Sequence, residues 1–113
     1  TDVCADVTEL NSVYFPTNSS TLTAEARAAL QENLEILREC PNICVRVEGW
    51  ASPTERNAQQ LSADRARAVA QFYQDNGIAA SRLTTVGMGV CPGGTKEGAA
   101  QCQRADSIPM PCP

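Results

Sequence analysis

The sequence predicts an α/β fold: a two-layer sandwich in the order βαβαβ(β), with two helices on one face of a mixed sheet. Three patterns carry that expectation. Ile43, Val45 and Val47 alternate with Cys44, Arg46 and Glu48, the period of a strand with one buried face and one more polar face. Ala26, Leu30, Leu34 and Leu37 recur at helical spacing. Leu61, Ala68 and Phe72 mark a second helical stripe, and Arg65 falls on it.

Each element can be placed in turn. Thr1 to Asn11 is a lead-in, tied down through Cys4. Ser12 to Phe15 reads as a short strand stopped by Pro16, and Thr17 to Ser20 as a polar turn. Thr23 is a suitable N-cap, because its hydroxyl can accept from a free amide of the first turn. Glu25 then sits favourably at the positive end of the helix dipole. The first helix is expected to run to about Glu39, where Pro41 ends it. The strand after it closes in a Gly-containing turn at Gly49. The second helix should start at Asn57 or Leu61 and reach Asn76, with Gly77 as its stop. Leu83 to Val90 reads as a third strand, with Val86, Met88 and Val90 on one face. Cys91 to Ala100 holds Pro92, Gly93, Gly94 and Gly98 and is expected to be loop. Arg104 to Met110 is a candidate fourth strand that Pro109 and Pro111 confine to an edge. The 113 residues fit one domain with its core over about 12–108.

Composition narrows the function. The net charge is −4 and there is no histidine. Nucleic-acid binding wants a basic face, so no nucleic-acid partner is expected. The commonest general base and zinc ligand is missing as well. There is no nucleophile elbow, no phosphate loop and no dinucleotide fingerprint, so neither an enzyme nor a cofactor is expected. The six cysteines, Cys4, Cys40, Cys44, Cys91, Cys102 and Cys112, suggest disulfides in an oxidising compartment. Zinc would favour tight Cys-x-x-Cys pairs, and none occurs. Cys91 and Cys102 flank the Gly-rich loop and are expected to pair. Cys40 and Cys44 bracket a helix-to-strand corner where a short bridge is sterically possible. Cys4 and Cys112 would then join the termini. No signal peptide, lipid-attachment motif or membrane span is visible, as for an export signal removed or a domain excised from a longer envelope protein.

Arg65 is the residue that asks for an explanation. A guanidinium on the buried face of a helix is costly without a partner. It either closes an internal ion pair, or caps loop carbonyls, or points into a polar pocket shared with the loop after Gly49. Trp50, the only tryptophan, either lines such a groove or packs at the rim. Asp64 reads as a solvent-facing charge near the helix start.

These two segments carry a resemblance. Gly49-Trp50-Ala51-Ser52-Pro53 with Leu61-Ser62-Ala63-Asp64-Arg65-Ala66 beyond it resembles the C-terminal domain of outer-membrane protein A. That module is shared with peptidoglycan-associated lipoproteins and flagellar motor anchors. Val13-Tyr14-Phe15 with Ser20, Leu22 and Ala26 is similar to its opening. Asn76-Gly77-Ile78, Arg82-Leu83 and Val86-Gly87-Met88-Gly89 are similar to the stretch after its second helix. The resemblance runs from about Ser12 to Gly89 and implies the same α/β architecture.

It also implies a function: a non-catalytic module that binds the diaminopimelate-type peptide stem of peptidoglycan and tethers an envelope protein to the wall. The place would be the periplasm or the periplasmic face of the outer membrane. Arg65, at the family's arginine position, would take the ligand's carboxylate through its planar fork. Replacing it by alanine would then abolish binding and leave the fold intact, whereas an internal ion pair predicts a lower melting temperature. Ser52 stands where the family has aspartate, and Ala58 where it has asparagine. Ala51, Ser52 and Trp50 would supply the strand end of the pocket. Glu55 and Asn57 are candidates to compensate from a shortened loop, although loop residues of this kind are usually solvated. Arg104 aligns near a late arginine of the family and is given a supporting role. The alternative is a scaffold that keeps the fold, has lost diaminopimelate binding and acts on envelope protein partners.

Overall fold

The computed structural model describes residues 3–92 and 99–112. After a 3-10 turn at Val3–Asp6 come β1 (Val13–Tyr14), α1 (Ala24–Glu39), β2 (Ile43–Ala51) and α2 (Ala58–Asp75). A second 3-10 turn, Ala80–Arg82, leads into β3 (Leu83–Val90), and one helical turn, Ala99–Cys102, precedes β4 (Arg104–Pro111). The sheet order is β1-β4-β2-β3. β2 runs parallel to β3 and antiparallel to β4, which is antiparallel to β1. This is the expected mixed sheet. No helix among the described residues is long and apolar enough to cross a membrane.

Both helices bury against the same face. Val45, Val47, Gly49 and Ala51 point under them, with Val13 and Ala105 beside them in register. Leu30, Leu34 and Leu37 of α1 and Ala66, Val69, Ala70 and Tyr73 of α2 complete that core. Thr23 caps α1, its Oγ1 accepting from Ala26 N at 3.1 Å. The other end of α1 is closed by Arg82, whose guanidinium donates to the carbonyls of Leu37, Cys40 and Ile43 at 3.0, 2.9 and 2.6 Å. Gly77, at φ +98°, supplies the left-handed residue just beyond α2.

Small residues let α2 lie directly on the sheet. A Cβ at Gly49 would stand 1.8 Å from the Ser62 carbonyl oxygen, and one at Gly87 would stand 2.8 Å from Ala63 Cβ. Inside the core, Asn33 Nδ2 donates to Tyr73 Oη at 3.0 Å, and that hydroxyl also bonds Ser107 Oγ at 2.6 Å. Asn33 Oδ1 accepts from Asn11 N at 2.8 Å, so α1, α2, β4 and the lead-in share one polar network. Burial raises the pKa of Tyr73 more than its bonds to Ser107 and Asn33 lower it, so the phenol stays protonated well into alkaline solution.

Two expectations need correction. β4 is not an edge strand; it lies between β1 and β2. β1 pairs only with Arg104 and Ala105, so the outer side of β4 is open beyond them. Cys112 donates its N–H to Asn42 O on the β2 side at 3.1 Å. By the alternation of an antiparallel ladder, Pro109 and Pro111 therefore turn their donor-less nitrogens to the open side.

The cysteines pair as Cys4–Cys40, Cys44–Cys112 and Cys91–Cys102. The last is as expected; the Cys40–Cys44 and Cys4–Cys112 bridges are not formed. Cys40 belongs to the core beneath the helices, where Cys4 packs. Cys44 pairs in register with Met110 on the opposite sheet face, which brings Cys112 to it with the Cα atoms 4.9 Å apart. A Cys40–Cys44 bridge would have to cross the sheet. Within the expected loop 91–100, residues 93–98 lie outside the described residues.

Candidate functional site

β2 ends at Ala51, and the chain turns through residues 52–57 into α2. At the same pole lie the loop from Phe15 to Thr23 and the start of β4. Arg65, on the second turn of α2, points into the space between them and is 0 % exposed. Its Nε donates to Ser19 O at 2.9 Å, Nη1 to Trp50 O at 3.0 Å and Nη2 to Pro16 O at 3.1 Å. The remaining two N–H groups run in parallel to Glu55: Nη1 to Oε1 at 2.7 Å, and Nη2 to Oε2. A guanidinium has five donors, and all five are taken. The cation also stacks over Phe15, 5.3 Å from the ring centroid.

Glu55 is matched as fully. Oε1 accepts from Ser52 N at 2.9 Å and Oε2 from Asn18 N at 2.7 Å, besides the two bonds from Arg65. Burial pushes its pKa up. The bond from Arg65, the two amides and the Arg65 charge outweigh that and hold the carboxyl below its ordinary value. Glu55 is thus a buried partner of Arg65, not the solvated loop residue that its position suggested. The buried helix arginine was the available signal, since it demanded an acid within reach.

Asn18 was not singled out from the sequence. It holds a left-handed conformation (φ 57°), as does Asn57 (φ 50°), and Asn tolerates this better than other non-Gly residues. The Asn18 amide meets Glu55, and its Oδ1 accepts from Arg56 N at 2.9 Å, so it stitches the two loops together.

The other candidate residues divide by depth. Ala51 and Ser52 are buried; Ser52 Oγ lies 3.0 Å from Thr54 Oγ1. Asn57 is exposed and makes no side-chain cap bond to α2. Trp50 is half-buried on the helix-free face of the sheet, with the Arg104 guanidinium 5.3 Å from its ring centroid. Arg104 also pairs with Asp106 at 3.1 Å. Trp50 and Arg104 therefore form a cluster on the side of the sheet away from Arg65. Asp64 stays at the surface as expected, bonded by Gln60 at 2.9 Å and by Arg67. Outside the Arg65–Glu55 pair opens a cavity of about 420 Å³ walled by Asn18, Arg56, Asn57, Gln60, Leu61 and Asp64.

Known proteins share this chain's pattern. The OmpA family model matches residues 14–106. A peptidoglycan-associated lipoprotein of Agrobacterium fabrum is 35% identical over 81 residues, covering 68% of this chain and 45% of that protein. The probable lipoprotein YiaD of Escherichia coli is 32% identical over 102 residues, covering 85% of this chain and 47% of that protein. The chain spans about half the length of these relatives. Among solved structures, the peptidoglycan-associated lipoprotein of Burkholderia pseudomallei superposes with a TM-score of 0.79 at 24% identity, covering 88% of this chain and 89% of that one.

Proposed function

The chain belongs to the OmpA family, and on that premise we propose that it is a non-catalytic module that binds peptidoglycan. It would tether an outer-membrane or periplasmic protein to the wall from the periplasmic side. The observation that carries this reading is a family match over nearly all of the folded core, with relatives named for their association with peptidoglycan. The ligand would be the peptide stem, of the diaminopimelate type. It would meet the pole where β2 ends. Asn57 and the cavity beside it would form the accessible surface, with Ala51 and Ser52 buried behind it, and Trp50 with Arg104 would offer a second contact on the sheet face.

One observation favours the alternative, a scaffold that keeps the fold and acts on envelope protein partners. Arg65 has no donor left for a ligand while Glu55 is in place. Co-sedimentation of the oxidised protein with purified sacculi separates the two readings. Saturable pelleting that free stem peptide competes away supports the first. Protein that stays in the supernatant at every sacculus concentration rejects it.

A further inference from the structure

The fork of Arg65 holds the protein's own acid, Glu55. Two parallel N–H···O bonds are how a guanidinium receives any carboxylate, and three features of the site bear on whether another carboxylate could take the place of Glu55. First, Arg65 is held in place without it, by the carbonyls of Ser19, Trp50 and Pro16. The fork therefore stays aimed when Glu55 leaves, and a preorganised site costs a ligand less to occupy. Second, apart from Arg65, Glu55 is held only by the backbone amides of Ser52 and Asn18, which serve an external carboxylate equally well. Third, Glu55 rides on a short segment whose Pro53, Thr54, Arg56 and Asn57 are exposed, beside a cavity of about 420 Å³ with Asn18 and Arg56 in its wall.

We infer that Glu55 is a built-in plug in a carboxylate-binding site: a carboxylate-bearing peptide enters the Arg65 fork only in exchange for Glu55, and residues 52–57 are the gate. The exchange conserves charge, one carboxylate replacing another on the same guanidinium. It rests on the reading of this pole as the ligand-binding one, and it adds a regulation to that reading: the domain is self-blocked until the segment swings out.

The test removes the plug and offers a free carboxylate. Glu55→Ala leaves a space about the size of acetate beside an unpaired guanidinium. Its melting temperature is compared in sodium acetate and in sodium chloride at equal ionic strength, so that general screening cancels. Acetate is expected to raise it by about 4 °C or more, with no such difference in the wild type. Glu55→Ser, which keeps a hydroxyl for one of the loop amides, is read in the same way should the alanine form not fold in chloride. If neither variant responds to acetate, folded or unfolded, the inference is overturned. Sacculus pelleting of the same variants distinguishes the two claims. Acetate rescue without pelleting of any form keeps the plugged fork and refutes the peptidoglycan reading. Pelleting without acetate rescue does the opposite.

Discussion

Removing the Arg65 side chain is expected to unfold this protein more readily before it does anything else. Arg65 and Glu55 are both 0 % exposed at their side chains. Arg65→Ala strands a buried carboxylate that had four donors and leaves it two. Truncating one partner of a buried ion pair costs about 3–5 kcal/mol. The carbonyls of Pro16, Ser19 and Trp50 lose their donor as well, but they are close neighbours of one another and their costs do not simply add. For a domain of this size that loss lowers the melting temperature by roughly 12–20 °C. The assay is urea and thermal unfolding of the oxidised protein near neutral pH, with Arg65→Lys beside it. Lysine keeps the charge and loses the fork, so it should fall between alanine and wild type. The double variant Arg65→Met with Glu55→Met removes both charges and should recover part of the loss, because an apolar pair of similar volume has no charge to desolvate. An Arg65→Ala protein within about 0.5 kcal/mol of wild type would show that the fork contributes nothing to the fold, and would refute the ion-pair argument. The sequence alone set two outcomes against each other; the geometry selects the one in which stability falls.

Other expectations come from the same packing. Because the Glu55 carboxyl lies below its ordinary value, its contribution is complete above the unfolded pKa, about 4.3, and is lost as pH falls through the folded one. The stability gap between wild type and Glu55→Gln should therefore shrink on acidification, and a gap constant from neutral pH to about pH 3 contradicts the assignment. Tyr73→Phe leaves Asn33 and Ser107 each short of a buried partner and should cost about 1–3 kcal/mol in urea unfolding. Gly49→Ala drives a methyl into the Ser62 carbonyl; it should cost about 3 kcal/mol or more, and a variant as stable as wild type would mean that α2 does not sit on β2 as described. Peptide mapping without reduction should recover Cys4–Cys40, Cys44–Cys112 and Cys91–Cys102, and a Cys40–Cys44 peptide would overturn the sheet-face argument.

What the sequence disclosed and what it hid divide along a physical line. Helical stripes and strand alternation are local, so α1, β2, α2 and β3 were legible with their ends nearly in place, and the Thr23 cap and the Gly77 stop with them. β4 was found but misplaced. Proline marks a missing donor, and only the register reveals that Pro109 and Pro111 turn it outward beyond the two residues of β1. The pairings of Cys4, Cys40, Cys44 and Cys112 depend on which sheet face each thiol leaves from, which spacing along the chain does not encode. The candidate site behaved the same way. Arg65 stood out because it broke a pattern within its own helix. Glu55 did not, since a charged residue in a loop is normally solvated. Asn18 was hidden by distance: it sits in a polar turn 37 residues before the Glu55 carboxylate that its backbone amide meets.

The pole opposite the candidate site is built to resist being pulled apart. There, Cys4 is bonded to the end of α1 and Cys112 to the start of β2, while Arg82 ties three carbonyls of the same corner together. A force applied to the chain at either cysteine cannot peel the lead-in or β4 away one hydrogen bond at a time. It passes through a covalent link into Cys40 at the end of α1 or Cys44 at the start of β2, and those two residues are only four apart in the chain. Tension between Cys4 and Cys112 therefore runs through residues 40–44 alone, and the β2–β4 ladder and the loops around Glu55 at the far pole carry none of it.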